Sequence, residues 1–384
     1  MRLRVERQDL MDAVAWTART LPTRSTVPVL SGLLLESGTP ESRSDSGDGL
    51  SISGFDFEVA AQARVAVTVA EGGRVLVSGR LLAEICRSLP AAPVDLATEG
   101  SRLVLVCGSA RFQLPTMPVE DYPTLPAMPP VTGRIASAAF ATAVQQVAVA
   151  AGRDDTLPVL TGVRVEIDGD TLTLAATDRY RLAVRELPWR PETPAGSAVA
   201  LVPARTLADT AKALAGSAAE VEIALGTGAQ GEGMAGFANG DLRTTTRLLE
   251  GEFPKYRALL PDSSDAAAEL DTATLTDAVK RVALVTAGRT TPVRLSFDDS
   301  GEALLEAGSG EDAQASERIP ATFEGEPLTI AFNPAFLLDG LGQLDGDAAR
   351  LSFTAPTKPA VLTGKASDGP DEYRYLLMPV RLPS

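Results

Sequence analysis

The chain repeats itself three times, and the length of the repeat decides what each copy is. Three landmarks recur in the same order. The first is an amphipathic helix. Leu10 and Val14 stand four apart, and Phe140, Val144 and Val147, then Leu275, Val279 and Val282, keep the i, i+4, i+7 spacing of one helical face. The leading residues lie 130 and 135 positions apart. The second is a strand entered through proline: Pro28-Val29-Leu30-Ser31-Gly32-Leu33 matches Pro158-Val159-Leu160-Thr161-Gly162-Val163, with a weaker third copy at Pro292-Val293. Proline at a strand start is where its missing N–H costs least. The third is another helix, marked by Leu82, Cys86 and Leu89, then Leu207, Ala211 and Leu214, then Leu337, Leu341 and Leu344. The period is far too long for a solenoid unit, so each copy is a whole domain of ordinary size.

Between the helices the apolar residues alternate with period 2, as in Arg74-Val75-Leu76-Val77-Ser78 and Leu172-Thr173-Leu174-Ala175. Such short runs, separated by Asp-Gly turns, predict antiparallel sheet. Each copy is therefore α+β, with two helices and about eight strands at ordinary strand lengths. The pattern breaks at the proline-rich Leu125–Pro130 and at Leu260–Asp265. These breaks place the domains at 1–127, 128–260 and 261–384. The Ser/Asp-rich segment Pro40–Gly49 reads as a mobile loop.

Composition removes several function classes. None of the 384 residues is histidine, which excludes Ser-His-Asp triads and histidine-ligated zinc. The two cysteines, Cys86 and Cys107, are unclustered in apolar surroundings and read as buried small hydrophobes. The opening Met1-Arg2-Leu3-Arg4-Val5-Glu6 lacks the apolar core of a signal peptide, and no run is long enough to span a bilayer, so a soluble cytoplasmic protein is expected. The net charge of −15 argues naively against nucleic acid, but net charge does not forbid a local basic surface.

Three segments carry a resemblance: Ala176-Thr177-Asp178-Arg179-Tyr180-Arg181-Leu182-Ala183, Glu252-Phe253-Pro254-Lys255-Tyr256 and Tyr375-Leu376-Leu377-Met378-Pro379-Val380-Arg381-Leu382. With the threefold repeat, they make the whole chain resemble the bacterial DNA polymerase III β subunit family. That resemblance implies three tandem clamp domains, a head-to-tail dimer closing a ring around duplex DNA, no cofactor and no catalytic site. It also implies a pocket for short linear motifs of the replicative polymerase, the clamp loader and repair proteins. Matched residue by residue, the pocket comprises Leu160, Thr177, Arg179, Tyr180, Arg181, Leu182, Pro254, Leu259, Leu376, Met378, Pro379, Val380, Arg381 and Leu382. Two departures stand out. Arg179 occupies a position where family members often have glycine or a smaller residue, and Pro383 and Ser384 follow the usual terminus.

The residues themselves leave two readings of these segments. Leucine, methionine and proline with one or two arginines suit a groove for a Leu/Phe-containing peptide. The same leucines also suit ordinary core, and Met378-Pro379 an ordinary C-terminal strand.

A ring that slides must hold phosphates and not bases. The basic residues on or beside the predicted helices that serve this are Arg24, Arg80, Arg153, Arg205, Lys280 and Arg281, of which Arg24 and the loop around Arg153 are the family-matched positions. Arg7, Arg19, Arg87, Lys212 and Arg289 lie on or beside the same helices. The resemblance places the subunit seam at Phe112 and Leu114 against the partner's Leu284 and Val285. Arg111-Phe112-Gln113-Leu114 alternates as an edge strand does.

Other motifs point elsewhere. Gly226-Thr227-Gly228-Ala229-Gln230-Gly231 fits G-x-G-x-x-G, but no helical pattern follows it. Asp154-Asp155 and Asp298-Asp299 read as turn chemistry. Two alternatives stay open at this level: a specialised or inhibitor-tolerant copy of the clamp, and a metal-dependent hydrolase built on carboxylates.

Overall fold

The computed structural model describes residues 1–22, 26–38, 43–44, 47–193, 196–216, 219–226, 233–286, 291–308, 313–364 and 373–381. Six helices carry the repeat: α1 (Arg7–Thr17), α2 (Gly79–Ser88), α3 (Ser137–Ala148), α4 (Ala204–Leu214), α5 (Thr272–Val282) and α6 (Pro334–Leu341). Each of the predicted apolar triplets is buried, apart from Leu344, which lies half-buried beyond the end of α6. None of these helices is long and apolar enough to cross a membrane.

Contacts divide the chain into two compact units, 1–138 with 190–193 and 212–248, and 139–189 with 194–211 and 249–384. The middle repeat thus contributes strands to both. In the first unit, eight strands pair in a closed circuit: Val59–Glu71, Arg2–Val5, Val94–Glu99, Arg102–Cys107, Ala110–Met117, Gly73–Ser78, Gly32–Ser37 and Gly47–Phe55, which returns to Val59–Glu71. The first half of Val59–Glu71 also pairs with Leu242–Arg247, so the sheet continues into the middle repeat. Cys86 and Cys107 are buried free thiols here, and burial pushes the Cys86 thiol up to about 12.

The second unit holds a nine-stranded sheet and a four-stranded one. In the larger sheet, Arg181–Pro188 pairs antiparallel with Tyr373–Leu377, joining the middle repeat to the last through a backbone ladder. Its register sets Leu182 opposite Leu376 and Ala183 opposite Tyr375. Successive side chains leave a strand on opposite faces. Leu182 and Leu376 therefore face one way, into a cluster with Phe253 and Tyr256. Arg181 and Tyr375 face the other way, toward α6, where the Tyr375 hydroxyl donates to the Phe336 carbonyl at 3.0 Å.

Two expectations change. Pro28 and Pro158 do not open strands. Each starts a 3₁₀ turn, Pro28–Ser31 and Pro158–Thr161, and the strand begins one residue later at glycine. Proline suits the first position of a helical turn, whose N–H has no partner to lose. The glycines are required by packing: a Cβ would stand 2.7 Å from Leu76 Cδ1 at Gly32 and 2.8 Å from Leu201 Cδ1 at Gly162. The segment 40–49 is no simple loop either, because Arg43 and Ser44 pair with Asp48 and Gly47 as a small hairpin. Residues 39–42 and 45–46 lie outside the described residues.

Gly340, inside α6, has the Tyr375 ring against it; a Cβ there would stand 2.5 Å from two ring atoms. Replacing a helical glycine by alanine gains about 1 kcal/mol of propensity, whereas overpacking a filled core costs roughly 1–3 kcal/mol. Gly340→Ala should therefore lower the urea unfolding midpoint, although it improves the helix.

Candidate functional site

The segment Thr177–Arg181 makes a tight turn built around one carboxylate. Asp178 Oδ1 accepts the N–H groups of Tyr180 at 3.0 Å and Arg181 at 3.1 Å. Thr177 Oγ1 accepts the Arg179 N–H at 3.2 Å and donates to the Arg181 carbonyl at 2.6 Å. The Asp178 N–H closes the turn on the Arg181 carbonyl at 3.3 Å. This geometry forces Arg179 to φ +80°. Only glycine adopts that region without cost, so Arg179 is held there at a cost in backbone energy.

Arg181 is nearly buried, at 6% side-chain exposure, and its charge is matched. Its guanidinium donates to Asp178 at 2.9 Å and Asp339 at 2.5 Å, and lies over the Phe336 ring at 4.5 Å. Burial alone would lower its pKa, but Tyr375, Asp339 and Asp178 outweigh burial and hold it above the ordinary arginine value. Tyr180 stacks on the other side of the site, 57% exposed, with its ring 6.2 Å from that of Phe336.

Beside this turn a cavity of about 810 Å³ opens toward α6. Leu157, Leu160, Phe336 and Leu338 give it apolar walls, and Arg153, Asp154, Arg179 and Asp339 give it charge. Past the strand Tyr373–Leu377, the Met378 N–H donates to the Tyr180 carbonyl at 2.9 Å and the Val380 N–H to the Ala331 carbonyl at 2.8 Å. These bonds hold the C-terminal segment beside the turn and leave Met378 42% exposed.

The opposite face of the sheet is roofed by residues 249–260. Glu166 fastens that roof: Tyr256 donates to it from its hydroxyl at 2.9 Å, and Arg257 and Arg164 donate from their guanidinium groups. Burial acts against the Glu166 charge, but the hydrogen bonds from Arg164 and Tyr256 prevail and hold its carboxyl below the ordinary value.

The expected pocket residues therefore divide. Leu160, Arg179, Tyr180 and Arg181 line the cavity. Met378, Pro379, Val380 and Arg381 follow the C-terminal strand, while Pro254 and the 50% exposed Leu259 belong to the roof. Leu182, Leu376 and Thr177 are buried. The register turns both leucines away from the cavity face and into the cluster with Phe253 and Tyr256. Leu382 lies outside the described residues. The sequence reading missed Asp178, Phe336, Asp339 and Tyr375. Asp178 was legible as a turn-forming residue, but Asp339 reaches Arg181 from an element 158 residues away in the chain.

The cationic positions differ in how free they are. The Arg205 side chain is 96% exposed with Asp209 at 4.0 Å, and Arg153 is exposed at the cavity rim. Arg80 donates to the Pro22 carbonyl at 2.9 Å. Lys280 stands 3.5 Å from Asp277, and Arg281 donates twice to Glu317, so much of the charge on α5 is already answered. Neither α3 nor α6 contains a lysine or arginine. Arg24 and Arg289 lie outside the described residues.

Leu284 is 83% exposed on the 3₁₀ turn Ala283–Val285, and Val285 is half-buried. Phe112 is half-buried, whereas Leu114 is fully buried in its own unit. Among the described residues, the strand Ala110–Met117 has no partner on its outer side along Ala110–Pro115.

The remaining motifs are turns. Gly226 ends a strand that returns antiparallel through Met234, so no helix follows as a dinucleotide site requires; residues 227–232 lie outside the described residues. Asp154 accepts from Thr156 and Asp298 from Ser300, each capping its own turn.

Models of the N-terminal, central and C-terminal domains of the DNA polymerase III β subunit match residues 1–126, 134–255 and 257–381. The chain belongs to the DNA polymerase III β subunit family. It is 57% identical to a β sliding clamp of Streptomyces coelicolor, with all of both chains covered. It is 45% identical to the β sliding clamp homologue GriR of Streptomyces muensis over 99% of each. The fold superposes on a sliding clamp of Pseudomonas aeruginosa bound to griselimycin with a TM-score of 0.90, at 29% identity and full coverage of both chains. A Bacillus subtilis clamp gives 0.89 at 26% identity, covering 100% and 99%. Three clamp domains in tandem, read from the repeat, are thus the fold of this chain.

Two outcomes follow from the site's geometry. Arg179→Gly should remove a left-handed penalty of about 1 kcal/mol and raise the unfolding midpoint while keeping the turn. Glu166 has a folded pKa below its unfolded one, so its stabilisation is present above the ordinary carboxylate range and is lost as pH falls through the folded value. Proteolysis within residues 249–260 should rise as pH falls below the ordinary carboxylate range, and Glu166→Gln should show the same cleavage at neutral pH.

Proposed function

We infer that this clamp closes head-to-tail with a second copy around duplex DNA and tethers replication and repair proteins by short peptides seated at the Thr177–Arg181 turn. It is a binding protein and not an enzyme. The observation that carries the tether is the cavity beside that turn, lined by apolar walls, exposed Tyr180 and the arginines Arg153 and Arg179, with exposed Met378 bonded through its N–H to the Tyr180 carbonyl. A Leu/Phe-containing peptide fits such a surface, and Met378 can re-pack around different sequences. Because Arg181 already spends its charge on Asp178 and Asp339, Arg153, Arg179 and Arg381 are the cations left to meet an acidic peptide.

For the seam, two features are complementary. The outer edge of Ala110–Pro115 has unused backbone groups, and so does the outer edge of Ala315–Pro320 among the described residues. Pairing one with the other across two copies extends a sheet and covers Leu284 and Phe112. Leu114 contributes from beneath, as core. Duplex DNA is held through phosphates by Arg80, Arg153, Arg205 and Lys280, with Arg24 and Arg281 as further members of the set, and no base is read. The likeness to the Streptomyces coelicolor clamp exceeds that to GriR, which favours an ordinary clamp over a specialised copy. The setting is the cytoplasm, at the nucleoid.

Light scattering should give a dimer, and the loaded protein should stay on circular DNA and run off linear ends. Leu284→Arg, at an exposed position, should give a folded monomer that no longer stays on circles. Met378→Asp should keep the dimer and weaken a Leu-Phe peptide at least tenfold. A monomeric wild type that treats circles and linear DNA alike would overturn the ring.

A further inference from the structure

The first unit contains a second turn built like Thr177–Arg181. Asp56 Oδ1 accepts the N–H groups of Glu58 at 3.0 Å and Val59 at 2.7 Å, and the Asp56 N–H donates to the Val59 carbonyl at 3.2 Å. The residue after the aspartate is again left-handed, with Phe57 at φ +76°. The carbonyl two residues after the aspartate again accepts from the strand that continues the sheet: the Arg247 N–H donates to Glu58 at 2.9 Å, as Met378 does to Tyr180. A buried cluster with Phe55 and Tyr122 lies in this unit, as one with Phe253 and Tyr256 lies in the other.

The two turns differ in what they display. Phe57 is an aromatic residue held where only glycine is comfortable, and its ring is still 48% exposed, edge-on to Phe55 with centroids 5.7 Å apart. Backbone strain kept at an exposed aromatic residue is characteristic of binding surfaces. The charge is also inverted. Half-buried Asp56 and exposed Glu58 flank Phe57 in the chain, and the segment that covers the same cluster exposes Glu120 and Asp121. Arg247 stands 4.0 Å from the Glu58 carboxylate, and its Nε–H donates to the Phe57 carbonyl at 3.1 Å.

We propose that the Asp56–Val59 turn is a second docking surface of the clamp, which takes a basic partner segment with an apolar residue packed on Phe57. It is the acidic counterpart of the Thr177–Arg181 site, and the charge around each turn separates their ligands. The surface rests on its own unit and does not depend on the peptide reading of the other turn.

The test uses the full-length protein and two fluorescent peptides that share a central Leu-Phe, one flanked by lysine and arginine and the other by aspartate and glutamate. Wild type should bind the basic peptide, and Met378→Asp should bind it equally well. Phe57→Gly removes the ring and relaxes the turn, so misfolding does not explain a loss; it should weaken the basic peptide at least fivefold at unchanged net charge. Glu58→Lys should weaken it further as salt is lowered. The proposal fails if wild type does not bind the basic peptide, if Phe57→Gly binds it as wild type does, or if Met378→Asp alone abolishes binding.

Discussion

The backbone ladder between Arg181–Pro188 and Tyr373–Leu377 is the contact on which the described site depends. It brings two segments nearly 190 residues apart into a fixed register, and register in a sheet decides which side chains face which way. With this register, Arg181 and Tyr375 point at α6, and Leu182 and Leu376 enter the cluster under the roof. A slip of one residue would bury a guanidinium among leucines and phenylalanine. The ion pairs of Arg181 reinforce the same choice. A buried charge without partners is costly, and Asp178 and Asp339 are within reach only when Arg181 faces α6.

The same economy governs the turn. One aspartate satisfies two N–H groups that the sharp reversal strips of ladder partners, and the reversal then imposes a left-handed residue. The chain accepts arginine there and phenylalanine at the equivalent place in the first repeat. Each is tolerated because hydrogen bonds on both sides over-determine the backbone. The local conformation is thus conserved between repeats while the displayed side chain is free to differ.

Much of this was legible. The helical triplets marked the helices because only one face of each can be buried, and the 130-residue spacing marked the domains because nothing smaller repeats at that length. The 3₁₀ turns at Pro28 and Pro158 were missed because proline suits both a strand start and a helical first turn; the following glycine, demanded by Leu76 and Leu201, is a tertiary fact. Leu182 and Leu376 lie buried in the cluster with Phe253 and Tyr256, a placement the sequence left open because an apolar residue in a strand does not declare its face. The paired turns at Asp56 and Asp178 share little sequence beyond the aspartate. Their left-handed residues carry no compositional mark, as neither is glycine.

The closed circuit of eight strands has a consequence for assembly. Among the described residues, the stretch Ala110–Pro115 is left with idle hydrogen-bonding groups, as is the outer edge of Ala315–Pro320 in the last repeat, and the head-to-tail seam proposed above joins these two edges. Unlike edges on one molecule define a polarity, and a polar contact does not count copies. It closes or it propagates, depending only on the angle that each copy turns through. In such a seam the number of subunits is therefore not fixed by the two edge strands themselves. A substitution far from either edge that changes this angle would leave both edge strands intact and turn a ring into an open filament.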